Sequence, residues 1–187
     1  MNLVLTKNFY SWMRTVLLGT STSISATTSS TNGLNANGTS LIEPMIDVTG
    51  TERTAITFAS SYCGQNVTLN YWTTGQNWGT NFQIGNNNTP ATENDYKLSG
   101  DYVLNTDYSV VHRAISNAQI VNNKGVLTFN LTFTAINDIT VGEIGMFKRI
   151  QVTPSAVEQF LFGRIALDTP IELGAGESAT FQVSIEI

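Results

Sequence analysis

Cysteine is almost missing from this 187-residue chain. Cys63 stands alone, which excludes an intrachain disulfide and any zinc site built from several thiolates, so stability must come from packing or assembly. Histidine is equally scarce. With His112 as the single imidazole, the common multi-histidine metal sites have no ligands. Charge is thin as well: 12% of residues are charged, about half the roughly 25% usual for a soluble protein. Lys and Arg form no cluster and the net charge is −5, which removes the electrostatic basis of nucleic-acid binding. No run approaches the roughly 20 apolar residues of a membrane span, so no membrane partner is expected. The opening segment resembles a signal peptide only superficially, because Val16-Leu17-Leu18 falls short of the roughly 7 to 15 apolar residues a signal requires. Serine-hydrolase motifs, a phosphate loop and a dinucleotide fingerprint are all lacking, and the sequence calls for no cofactor and no metal. A convergent pair of carboxylates is the one acid/base arrangement left open, and no acidic motif points to it.

What the chain does have is Thr, Val, Ile, Phe and Tyr in quantity, residues that suit pleated, half-buried surfaces better than helices. The expected fold is all-β, a β-sandwich or jelly-roll-like pair of antiparallel sheets with one short N-terminal amphipathic helix. Phe9, Trp12, Met13, Val16 and Leu17 fall at i, i+3, i+4, i+7 and i+8, one face of that helix. Thr6 or Asn8 can cap its start and Gly19 its end. The stripe has two readings: it covers the chain's own sheet, or it anchors the chain on a neighbouring subunit. Residues 20–40, rich in Ser, Thr, Asn and Gly, cannot bury enough surface to offset their own ordering and read as a linker or extended arm. The expected organisation is therefore helix 1–19, linker 20–40 and sandwich 41–187.

From Leu41 onward, short apolar stretches alternate with turn residues. Strands are expected over 41–48, 53–59, 65–72, 101–105, 110–120, 126–136, 139–147, 160–167 and 179–187. In VLTFNLTFTA, Leu127, Phe129, Leu131 and Phe133 face one way and Thr128, Asn130, Thr132 and Thr134 the other, with VNNKG ahead of it as the turn. The last residues alternate to the end through Phe181, Val183, Ile185 and Ile187, so this strand is expected to close its own sheet or to complete a neighbour's.

Chemistry-bearing residues are few. His112 lies in an expected strand beside Arg113, and Cys63 has no basic neighbour to lower its pKa. Glu93, Asp95 and Asp101 gather in one loop region, but Lys97 sits among them, which favours a solvated loop over a calcium site. Tyr71, Trp72, Trp78 and Phe82 flank a Gly/Asn-rich turn and read as core or interface rings, or, for Tyr71, Trp72 and Trp78, as a platform for stacking on sugar faces. Four N-x-[ST] sequons, at Asn37, Asn66, Asn87 and Asn130, are matches that a chain rich in Asn and Thr produces by chance.

Three stretches carry a resemblance. LTKNFYSWMRTVLLGTS near the start, IGNNNTPATENDYKLSG over 84–100, and GEIGMFKR followed by FLFGRIALDTPIELGAGESATFQVSI resemble small β-sandwich virion proteins of tailed bacteriophages. The loop keeps Gly85, Thr89, Pro90, Asp95, Tyr96 and Leu98 of that pattern, while Asn86 to Asn88 replace a glycine and Ala91 a second proline. The ending keeps Glu143, Gly145, Phe147, Arg164, Asp168, Thr169, Pro170, Gly176 and Glu177. The resemblance implies a non-enzymatic capsid-surface, head-fibre or tail subunit located in the virion, with copies of itself and other virion proteins as partners. The alternative expectation is a glycan-binding sandwich module of a receptor-binding or cell-surface protein.

Overall fold

The computed structural model describes residues 3–18, 24–25, 37–58, 79–100, 102–112, 117–153 and 156–186. Along these run β1 (Val4–Leu5), α1 (Lys7–Leu18), β2 (Ile24–Ser25), β3 (Asn37–Ile46), β4 (Glu52–Phe58) and β5 (Gly79–Gly85). There follow β6 (Tyr108–His112), β7 (Asn117–Val121), β8 (Lys124–Ala135), β9 (Ile139–Thr153), β10 (Ala156–Leu173) and β11 (Ser178–Glu186). The fold is all-β and sandwich-like, with α1 its one helix among the described residues.

Two antiparallel sheets supply the core. One is ordered β1-β10-β9-β5; in the other β11 pairs with β8, whose opposite side is shared by β6 and β7. Strict alternation along β8 and β11 turns Phe129, Leu131, Phe133, Phe181, Val183 and Ile185 inward, where burial of each side chain is worth about 2 kcal/mol. Phe82 of β5 meets Phe129 of β8 with ring centroids 5.2 Å apart, so the two inner faces interdigitate. The Tyr108 hydroxyl crosses the same gap to accept from the Ile84 amide at 3.3 Å. A third sheet, β2-β3-β4, packs β4 against β9 and β3 against α1.

Most expected strands recur with shifted ends, and two do not. Residues 102–107 form a turn instead of a strand: Asn105 adopts φ 65°, Asp107 donates its amide to the Val103 carbonyl and accepts the Val103 amide on its carboxylate. Four-residue closure by an Asx side chain outcompetes the short Tyr102-Val103-Leu104 alternation. The expected strand 110–120 is two, β6 and β7, while 65–72 lies outside the described residues. β5 was not anticipated. Asn122 and Asn123, at φ 51° and 63°, make the two-residue turn of the β7-β8 hairpin that VNNKG suggested. The last strand pairs with β8 of its own chain over Ser178 to Glu186, so it closes its own sheet.

Candidate functional site

The opening segment is part of the core, not an arm attached to it. Val4 and Leu5 pair with Arg164 and Gly163 at the edge of β10, while the Leu3 amide donates to the Ser184 carbonyl of β11 at 3.0 Å. One short segment thereby bridges the edges of both sheets. The Thr6 hydroxyl donates to the Leu161 carbonyl at 2.6 Å instead of capping α1. The Asn8 amide donates to the Ile46 carbonyl and accepts the Ile46 amide, each at 2.8 Å, copying a strand partner. Both residues are buried, so their polar groups are fully spent on backbone partners.

The helix stripe follows from this placement. Of the two readings of the stripe, Phe9 and Trp12 follow the first: they lie in the chain's own core, 1% and 6% exposed. Their rings pack on Phe162, with centroids at 5.8 and 5.2 Å. Met13 is half-buried against the same core. Periodicity identifies a buried face; it does not say whose surface buries it. The side chains of Val16 and Leu17 lie outside the described residues, as do Tyr71, Trp72, Trp78, Cys63 and the His112 ring.

The three stretches marked by sequence converge in space. Arg164, 1% exposed, donates Nε to Glu143 Oε2 at 2.5 Å and Nη1 to Asp95 Oδ2 at 2.9 Å. The fully buried Glu143 accepts the Gly100 amide on its other oxygen at 2.6 Å. Asp95 also takes the amide and hydroxyl of Thr92. The Lys7 amide donates to the Glu93 carbonyl at 2.8 Å, which ties the N-terminal segment to the same loop. Leu98 folds under the loop against Phe147 and Leu161, a small second core. Gly142 lets the loop lie flat on β9: a Cβ there would sit 2.6 Å from the Asn86 carbonyl oxygen.

Electrostatics explain why this cluster persists. Burial works against the Arg164 charge, but hydrogen bonds and charges from Asp95 and Glu143 outweigh it and hold the guanidinium more firmly protonated than a free arginine. Burial likewise pushes the Asp95 carboxyl up, and the hydrogen bonds of Thr92 and Arg164 reverse this to a net lowering. A permanently charged guanidinium clamped by two carboxylates neither gives nor takes a proton near neutral pH. The cluster's chemistry is positioning. Asp95, considered above as a calcium ligand, has its oxygens committed to Thr92 and Arg164.

Two other buried ionic groups were not singled out in advance. Asp47, at the end of β3, accepts the amides of Thr49 and Thr51, the Thr49 hydroxyl and Arg53 Nε, and Arg53 continues to Glu158. Lys148 is fully buried on β9, and burial brings its amine down to about 7. The signal for Glu143, Lys148 and Arg164 was a charge inside an otherwise apolar strand run, as in FLFGRIAL.

Neither family models, curated proteins nor solved structures provide a match to this chain. No helix among the described residues is long and apolar enough to cross a membrane.

Proposed function

We propose that this chain is a non-enzymatic structural subunit of a tailed-phage virion, at the capsid surface, in a head fibre or in the tail. It works there through contacts with its own copies and with other virion proteins. The observation that carries the reading is the convergence just described. The three stretches that resemble such proteins meet on one another through Arg164, Glu143, Asp95 and Glu93, so the resemblance follows one spatial unit of the fold. The surface agrees with that role, because the chain is poor in charge and exposes apolar side chains such as Val103, Ile120 and Ile136. Ile120, 81% exposed beside the Asn122-Asn123 turn, is the foremost contact point of this reading, in place of Phe9 and Trp12.

The test is mass spectrometry and antibody labelling of purified particles from the phage whose genome encodes the chain. Stoichiometric recovery with the particles is the expected result, and recovery in the free protein fraction alone overturns the proposal. Light scattering of the purified chain tests the self-contact part. A concentration-dependent mass that Ile120→Asp returns to monomer is expected, whereas a monomer at every concentration removes self-association from the reading.

A further inference from the structure

Beside the ion cluster, a groove of about 390 Å³ opens between the 88–91 stretch of the loop and residues 165–168 of β10. It is lined by exposed Val4 and Pro90, by half-buried Ala91 and Ala166, and by the stretch of β10 that carries Ile165 and Leu167, whose side chains belong to the main core. Two polar side chains stand at its rim, Asn88 and Asp168, each solvent-exposed. The neighbouring Asn87 is spent on the amide and hydroxyl of Thr89, and Asn88 and Asp168 make no such side-chain bonds within the described residues. Among the described residues, no Lys or Arg lines the groove.

We propose that this groove binds a neutral pyranose sugar. A pyranose has an apolar C–H face and a rim of vicinal hydroxyls. Val4, Pro90, Ala91 and Ala166 match the first; the Asp168 carboxylate, an acceptor, and the Asn88 amide, both donor and acceptor, match the second. The volume suits one or two sugar residues. Phosphorylated and carboxylated ligands are disfavoured, because Asp168 repels them and nothing cationic offsets it. The proposal stands whether or not the chain belongs to a particle.

The experiment is a titration of the full ¹⁵N-labelled chain, followed by two-dimensional NMR, with the methyl glycosides of glucose, galactose, mannose and N-acetylglucosamine. An open groove of this size predicts saturable shifts at the Asn88 side-chain amide and at Ala91 and Ala166 for at least one of the four, with a dissociation constant of about 1 to 10 mM. Asn88→Ala and Asp168→Ala, both surface truncations whose melting is checked against the parent, should each weaken binding about tenfold. Absence of saturable shifts with all four sugars at about 50 mM overturns the proposal. So does binding that survives the double variant undiminished. Glucose 6-phosphate serves as the charge control, and affinity equal to that of glucose would overturn the assignment of Asp168.

Discussion

Arg164→Ala is the substitution whose outcome the structure fixes most tightly. It removes the charge-assisted bonds from Nε to Glu143 at 2.5 Å and from Nη1 to Asp95 at 2.9 Å. Asp95, whose side chain is 21% exposed, can recover solvent. Glu143 cannot: it is fully buried, and without Arg164 the Gly100 amide is the one donor left to its carboxylate among the described residues. Breaking a buried ion pair from one side costs about 3 to 5 kcal/mol, most of it the penalty of the charge left behind. For a chain of this length that corresponds to a fall of about 10 °C in the melting temperature. The double variant Glu143→Leu with Arg164→Met removes the stranded charge and should recover most of the loss. Thermal melts at pH 7 and urea unfolding of the parent, Glu143→Leu, Arg164→Met and the double variant give the coupling directly, with Arg164→Ala measured beside them. A loss below about 1 kcal/mol for Arg164→Ala, or a double variant no better than it, would refute the reasoning.

Lys148→Met should stabilise the protein below pH 7. The amine titrates at about 7 when folded and 10.5 when unfolded, so the unfolded state binds more protons between those values and parental stability should climb as pH rises through that window, by at most about 5 kcal/mol; melts of the variant from pH 6 to 10 should lack this slope. For Asp47, burial raises the pKa but the bonds from Thr49, Thr51 and Arg53 bring it below 3.8, so its contribution is complete above that pH and is lost as pH falls through the lowered folded value; Asp47→Asn should lower neutral-pH stability and blunt the acid transition. Phe9→Ala should cost about 3 to 5 kcal/mol in the isolated chain, and an unchanged melt would mean that Phe9 does not serve this core. Gly142→Ala, whose new methyl meets the Asn86 backbone, should speed hydrogen exchange over residues 86–100 more than over β8, and uniform exchange would sink that placement.

How far the sequence could be read depended on whether a residue's role was local. In β8, Leu127, Phe129, Leu131 and Phe133 alternate with Thr and Asn because every second side chain must face the core, and that period is visible without a fold. The hairpin turn was legible for the same reason, since Asn tolerates the left-handed backbone that Asn122 and Asn123 adopt. In Tyr102-Val103-Leu104 the same period misled, because Asp107 closes a turn over it. Thr6 and Asn8 looked like caps, and their side chains went to Leu161 and Ile46, more than 30 residues away, where only the folded chain could direct them. Phe9 and Trp12 were legible as a face and not as an address.

The ion cluster marks where local reading ends. Arg164 lies 21 residues from Glu143 and 69 from Asp95, separations at which no spacing rule operates. What a sequence does offer is anomaly: a charge within a run otherwise fit for burial is either mispredicted or paired, and pairing requires a partner of opposite sign brought from elsewhere. In this chain the anomalies at Glu143 and Arg164 resolve each other. This pairing also shapes the exterior of a charge-poor chain. With part of its small stock of charge committed to the interior, the outward faces of β8 and β11 carry uncharged pairs such as Thr132 with Thr180 at 2.9 Å and Thr134 with Ser178 at 2.7 Å, beside the Lys124–Glu186 ion pair at 3.0 Å at one end. On the proposed reading, contact geometry at exposed side chains such as Ile120, more than long-range charge, would select what such a surface meets.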